Sequence, residues 1–305
     1  MDSIGRPPLA RPWSYMGRLG IMLDSIRFEH SIFALPFAYL GMILAAGGWP
    51  TLSQFIWITL AMVAARTVAM SANRLIDREM DGENPRTAMR ALPQRLLRPS
   101  DMLGMLLVSL VIFFLAAYML NTLALILAPV AAIIVITYSY AKRFTWTGHY
   151  WLGFADGIAP AGGWIGVAGE LPLEAVILAM AVTTWVAGFD LIYQCMDYDF
   201  DIPRKLHTIP VKWGIPAALW WARVTHLSTI VFLVALGVMM SLAWPFYIGV
   251  AIAAALLAWE HSLVKANDFS RVTIAFFNIN GVIAIIVFVF TAVAVLMESG
   301  SGYAA

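Results

Sequence analysis

The sequence predicts an all-α fold, a polytopic membrane bundle of nine transmembrane helices, and three observations carry that expectation. First, 61% of the 305 residues are hydrophobic, only 12% are charged, and the mean hydropathy is +0.81; soluble domains run nearer half apolar and a quarter charged. Second, apolar runs of the length needed to cross the hydrocarbon recur at 31–48, 54–73, 102–120, 122–141, 149–168, 172–196, 217–241, 244–263 and 272–296. Third, nine crossings put every Lys and Arg except Arg66 and Arg223 on the side that holds the N-terminus. A miscount by one span in the middle would destroy that asymmetry, so the span count and the positive-inside rule support one another and assign that side to the cytoplasm.

Taken in order, residues 1–30 carry Arg6, Arg11, Arg18 and Arg27 with Pro7, Pro8 and Pro12 and no continuous apolar core, so they read as neither a cleaved signal peptide nor a span. Apolar residues between Trp13 and Glu29 recur unevenly at helical spacing, which predicts a helix lying along the headgroups. The expected organisation is therefore a cytoplasmic N-terminal segment 1–30, a membrane domain 31–298 and a short tail 299–305. Gly47-Gly48, Asn121-Thr122, Gly169-Glu170-Leu-Pro172 and Trp244-Pro245 mark tight turns. Trp49, Trp146, Trp151, Trp213, Trp220, Trp244 and Trp259 fall near span ends, as interfacial aromatics do. The single cysteine, Cys195, excludes an intrachain disulfide and a cysteine metal cluster. His30, His149, His207, His226 and His261 show no HxxxH or HExxH spacing, so no zinc or haem site is readable. Near the midplane the plausible charges are Arg66 and Arg223.

Two acidic clusters stand out against this background. Asn73, Asp77 and Asp81 are four apart and share a helix face at the end of the second span; Asp197 and Asp201 are four apart at the end of the sixth, with Asp190 two turns earlier. Like charges one turn apart repel at the edge of an apolar helix unless something positive sits between them or water surrounds them. The clusters are also equivalent in topology: Asp197 and Asp201 follow Asp77 and Asp81 by the same interval, and Pro85 and Pro203 follow each cluster, which suggests a duplicated unit. Solvated loop charge accounts for Glu79, Glu83 and Asp199. It accounts poorly for four carboxylates in register on two helix ends. Four hard oxygen donors, with Asn73 adding a neutral one, suit Mg²⁺, which binds through one or two carboxylates plus waters and phosphate oxygens. Arg74, Arg78, Arg86, Arg90, Lys142 and Arg143 stand nearby to meet a polyanion directly. Acids acting through a metal beside free bases imply a diphosphate ligand at the membrane face.

Three ordered motifs carry a resemblance to a known family. Asn73-xxx-Asp77-xxx-Asp81 with Asn84-Pro-Arg-Thr87, then Tyr138-Ser-Tyr-Ala-Lys142-Arg143-Phe-Thr145, then Asp190-xx-Tyr193-xxx-Asp197-xxx-Asp201 resemble the UbiA superfamily of intramembrane prenyltransferases, over about residues 20–295. The resemblance is nearest to the 4-hydroxybenzoate polyprenyltransferase branch. It implies a nine-helix bundle that uses Mg²⁺ to move an isoprenoid chain from its diphosphate to an aromatic ring. Within the branch, Lys142-Arg-Phe-Thr-Trp146, Gly157-Ile-Ala-Pro160 and Leu206-His-Thr-Ile-Pro210 look like the subgroup associated with menaquinone made by the futalosine route. Ala88-Met89-Arg90, where many relatives read Ala-Asn-Arg, and Gln194-Cys195-Met196 depart from the usual pattern. The acceptor therefore stays open between a hydroxylated benzoate and a dihydroxynaphthoate.

Carried over residue by residue, the resemblance implies that Asp77, Asp81, Asp197 and Asp201 hold the metal and that Asn73, Arg78, Arg86, Lys142 and Arg143 serve the diphosphate. Tyr138, Tyr193 and Phe189 would line a dry cavity for an allylic cation, with core packing as their alternative. Asp190 would orient the acceptor's hydroxyl or take its proton, or else make only a helix–helix hydrogen bond. Arg66 would hold the acceptor's carboxylate, or pair with an intramembrane acid. The expected partners are polyprenyl diphosphate, an aromatic acid and the lipid bilayer, with no nucleic acid and no required protein. An ion-coupled transporter is the rival from another class, and makers of chlorophyll, haem and archaeal ether lipids are the rivals within the superfamily.

Overall fold

The computed structural model describes residues 17–27, 31–272 and 278–301. Among them the chain forms helices α1 (Gly17–Ser25), α2 (Ser31–Ala46), α3 (Leu52–Ile76), α4 (Arg78–Glu83), α5 (Pro99–Leu120), α6 (Thr122–Thr137), α7 (Gly148–Ala168), α8 (Leu173–Gln194), α9 (Tyr198–Asp201), α10 (Ile209–Trp213), α11 (Ile215–Met239), α12 (Trp244–Leu263) and α13 (Asn280–Ser301). Short 3₁₀ stretches, Tyr138–Arg143 and Cys195–Asp197, extend α6 and α8. The protein is an integral, multi-pass helical bundle: α2, α3, α5, α6, α7, α8, α11, α12 and α13 correspond one for one to the expected spans.

Among the described residues, seven segments are long and apolar enough to cross a membrane. The other two have physical reasons for falling short. The apolar part of α2 is only Leu35–Ala46, and α7 interrupts its apolar surface with His149, Asp156 and a run of glycines. The last helix continues to Ser301, past the expected boundary at 298, while residues 273–277, where the ninth span was expected to begin, lie outside the described residues. Of the expected headgroup helix, Gly17–Ser25 is described; its flanks, 1–16 and 28–30, are not.

Local chemistry sets the turns. Thr51 opens α3 with a capping box, its Oγ1 accepting from the Gln54 backbone while Gln54 Oε1 accepts from the Thr51 N–H. Asn121 caps α6 through Oδ1 and donates through Nδ2 to the Ile165 carbonyl at 2.7 Å, tying that turn to α7. Gly169 ends α7 in the left-handed region at φ +70°, where a Cβ would be strained.

The site is positioned by α8, two-thirds of whose apolar window is buried, against under a quarter for α5 and α6. It lies between α7 and α11. On α7, Gly153 and Gly157 present backbone to α8. A Cβ on Gly153 would fall 2.2 Å from the Thr183 carbonyl oxygen, and one on Gly157 would fall 2.4 Å from Thr183 Oγ1. Without a hydrophobic force between helices in lipid, such small-xxx-small contact is what lets two backbones approach. Both acidic helices then break at an aspartate: Asp77 ends α3 at φ −94°, ψ 4°, and Asp197 ends the extension of α8 at φ −95°, ψ 4°. These matching bridge-region turns fall at the positions where the sequence suggested a repeat.

Because the Gly153 position has no room for side-chain atoms, Gly153→Val should destabilise the bundle by about 1–3 kcal/mol. Gly104→Ala, at a site with nothing within 4 Å of the added Cβ, should leave stability unchanged or slightly raised. Thermal unfolding of the two variants in detergent checks the contrast, and equal behaviour would refute it.

Candidate active site

The kinks turn four carboxylates inward at one end of the bundle, and each is buried: Asp77, Asp81, Asp197 and Asp201 are all under a tenth exposed. A buried, unpaired carboxylate is costly, and the chain meets that cost from four segments. Asp77 accepts from Lys142 Nζ at 2.7 Å, from Arg143 Nη2 at 2.9 Å and from Asn73 Nδ2 at 3.2 Å. Both bases lie at the end of the Tyr138–Arg143 3₁₀ run, so one turn supplies two cations to one acid. Asp81 accepts from Arg90 Nη1 through both oxygens at 2.7 Å. Asp201 accepts from Gln194 Nε2 at 2.6 Å, which gives that departure from the usual motif a structural use.

Asp197 joins the two clusters. Arg86 grips it through Nε at 2.9 Å and Nη2 at 2.6 Å, while Asn84 Nδ2 donates to it at 3.1 Å. The same guanidinium donates from Nη1 to the Tyr193 hydroxyl at 3.0 Å and lies 5.1 Å over that ring. Burial opposes the charge on Arg86, but its hydrogen bond to Asp197 and the fields of Tyr193, Asp197 and Asp81 outweigh this and hold the guanidinium above its ordinary range. Outside the ring, Arg204 bridges to Glu83 at 2.7 Å, a second contact between the segments that follow α3 and α9.

A second polar layer lies deeper. Asn73 also donates to Ser139 at 3.2 Å and accepts from Arg74, which reaches the Ser25 carbonyl at the end of α1. Tyr138 stands among Asp156, Arg74 and Asp77. Asp190 accepts a hydrogen bond from, or shares a proton with, His149 at 2.8 Å. Arg66 and Asp190 are the charged groups facing Asp156. Further toward the N-terminus of α8, Phe189 meets Trp185 edge-on at 5.2 Å, and Trp185 packs on Phe37. There an apolar pocket is lined by Phe37, Leu40, Trp185, Leu233, Leu257 and Val287.

The sequence-derived set is thus largely gathered at one end, with exceptions. Arg78 is not in the ring: it is the first residue after the Asp77 kink, points outward and pairs with Glu79. Arg90 occupies the place at Asp81 instead. Charge within the bundle is also not limited to Arg66 and Arg223, because Asp156 is enclosed in α7. Asp156, His149 and Asn84 were not singled out from sequence. The readable signal was a His and an Asp seven apart on a glycine-rich span, hence on one face.

The donor set fits a hard divalent cation. Oxygen ligands come as two carboxylate pairs, and among the described residues no three acidic, His or Cys groups form a closed cage. Magnesium takes one or two carboxylates and completes its shell with water and phosphate. Four carboxylates already face four cations, Lys142, Arg143, Arg86 and Arg90, so an added diphosphate requires further positive charge.

Fold and site together define an integral membrane prenyltransferase. The model of the UbiA prenyltransferase family matches residues 34–282, and the chain belongs to that family. It is 30% identical to the 4-hydroxybenzoate octaprenyltransferase of Cupriavidus pinatubonensis over 82% of this chain and 87% of that one, and 27% identical to that of Aliivibrio fischeri over 85% and 89%. Among solved structures, it matches the apo UbiA homolog from Aeropyrum pernix at TM-score 0.80 and 31% identity, over 87% of this chain and 98% of that one. A UbiA homolog from Archaeoglobus fulgidus, bound to DMAPP and Mg²⁺, shares the fold at TM-score 0.68 and 19% identity, over 89% and 99%.

Removing one member of the Arg86–Asp197 pair strands the other. Arg86→Ala should cost about 2 kcal/mol, less than the ~3–5 of a fully buried pair because the Arg86 side chain is 25% exposed. Adding Asp197→Asn should recover part of the loss. Unfolding midpoints of the two singles and the double measure it, and strict additivity would contradict the pairing.

Proposed function

We propose that the chain transfers a polyprenyl group from its diphosphate to the ring of an aromatic hydroxy acid, at the cytoplasmic face, in quinone synthesis. One observation supports this above the others: Asn84 and Arg86, next to the first acidic cluster, bond Asp197 and Tyr193 of the second, so the two clusters frame one space. The names of the curated relatives point to the same acceptor class, and a fold neighbour with DMAPP and Mg²⁺ indicates that this fold can hold both. Asp77, Asp81, Asp197 and Asp201 would bind Mg²⁺. When bound, the metal supplies charge neutralisation on the departing diphosphate.

The chain's own residues do the rest. Arg86, Arg90, Lys142 and Arg143 meet the outer diphosphate oxygens, with Asn73 fixing Asp77. Tyr138, Tyr193 and Phe189 present π faces to the allylic cation and keep water out. Arg66 holds the acceptor's carboxylate, and Asp190 takes the proton that the ring gives up. The tail needs only an apolar passage opening sideways into lipid. Segment 1–30 serves as a cytoplasmic arm of the membrane domain 31–298, placed there by the positive-inside distribution. Dihydroxynaphthoate is the second acceptor reading, favoured by the segments that resemble the futalosine-route subgroup.

Asp77→Asn and Asp197→Asn should each lower transfer from radiolabelled polyprenyl diphosphate at least ~100-fold, and chelation by EDTA should stop turnover. Full activity in either variant, or turnover undiminished by EDTA, would remove the metal–diphosphate assignment. With purified membranes and both acceptors supplied, mass spectrometry of the product should reveal a prenylated benzoate; a naphthoate product would select the second reading.

A further inference from the structure

We infer that His149 is a positioning residue for Asp190, holding one carboxylate oxygen so that the other is presented to the acceptor. This rests on the reading of Asp190 as proton acceptor. His149 is 4% exposed at the first turn of α7, and its Nδ1 lies 2.8 Å from Asp190 Oδ2. Its Nε2 is enclosed and has no hydrogen-bond partner among the described residues. An ionised carboxylate is an acceptor only, so the hydrogen in the contact belongs to the imidazole. The tautomer that satisfies both facts carries its hydrogen on Nδ1.

Helix packing builds the pair. His149, Gly153 and Gly157 follow at intervals of four on one face of α7. Gly157 lies against Ala179 and Thr183, and Gly153 against Thr183 and Ala187. One turn further, this antiparallel register brings His149 to Asp190. The glycines bring the two backbones close, and the imidazole fills the space at the end of the seam. Asp156, two turns along the same face, is coupled to Asp190 only through its charge, so that acid offers repulsion and His149 offers the donor.

In the transfer, a carbon–carbon bond forms at the acceptor ring as the allylic carbon–oxygen bond breaks, and the bonding pair leaves on the diphosphate. The displaced hydrogen leaves as a proton to Asp190 Oδ1 and passes on to water. His149 keeps its own proton throughout. Its N–H fixes the rotation of the carboxylate and concentrates available basicity on Oδ1.

The test uses the full chain in membranes. His149→Phe keeps a ring and removes the donor; His149→Asn keeps a donor at the Nδ1 position. The Phe variant should lower kcat on the order of 10- to 100-fold, part of the ~10²–10⁴ that a positioned base contributes, with KM for polyprenyl diphosphate unchanged. The Asn variant should recover kcat to within about 3-fold. Because Phe also removes the enclosed Nε2, a purely structural role predicts no kinetic loss at preserved stability. Should the Phe variant fail to accumulate, His149→Leu against His149→Asn makes the same comparison. An unchanged kcat without the donor, an Asn variant as slow as the apolar one, or a loss confined to KM overturns the inference. Asp190→Asn separates the two levels: wild-type transfer in that variant refutes the role of Asp190 itself, whereas a dead Asp190→Asn beside a fully active His149→Phe refutes only the role of His149.

Discussion

The structure depends on neutralising four carboxylates buried at the mouth of an apolar bundle. Left alone they would repel and draw water into the helix ends. The chain instead brings cations from the segment after α4 and from the 3₁₀ run after α6. Those ion pairs do more than cancel charge, because each one anchors a connecting segment. The stretch from Asn84 to Arg90 is tied down at Asp197 and Asp81. Its continuation, through Leu92 and Leu97, packs with Ile26 and Met102. Loops that would otherwise be free over the end of the bundle are pinned to it.

The matching turns at Asp77 and Asp197 make the two acidic helix ends alike in backbone, yet the side chains around them are not alike. All four cations of the ring, Arg86, Arg90, Lys142 and Arg143, precede α7. The later half supplies Asp197 and Asp201 with Gln194 and Tyr193, and it carries Asp190. The positive charge of the ring thus comes from the first half alone, and the second contributes acids with neutral partners. The Arg86 contact to both Asp197 and Tyr193 is the joint between them.

Hydropathy made the nine helices legible in order, because a span's length is fixed by the hydrocarbon and its ends by glycine, proline and asparagine whose backbone roles are local. The acidic clusters were legible because charge in register at the end of an apolar run has few explanations. What the sequence hid was direction. Helical spacing treats Arg78 and Asp81 as consecutive positions on one cylinder, but the chain kinks at Asp77, which turns Arg78 outward and leaves Asp81 to Arg90. Partner choice across 65 residues or more, such as Lys142 with Asp77, is a property of packing and leaves no local trace. Asp156 and His149 were missed for a related reason: each is a lone polar residue in an apolar run until the glycines beside them are read as a helix contact.

That contact explains why α8 can serve two environments at once. Its last turns, through Asp190, Tyr193 and Asp197, meet polar groups from α7 and from the segment after α4. Its earlier turns, through Leu178, Val182 and Trp185, border the apolar pocket shared with α2, α11, α12 and α13. A helix so divided along its length must not slide, since a shift along its axis would carry carboxylates toward hydrocarbon and the indole toward charge. The glycine seam on α7 and the close fit of Gly188 against His226 on α11 hold it from both sides. The fixed register of α8 therefore follows from having different environments at its two ends.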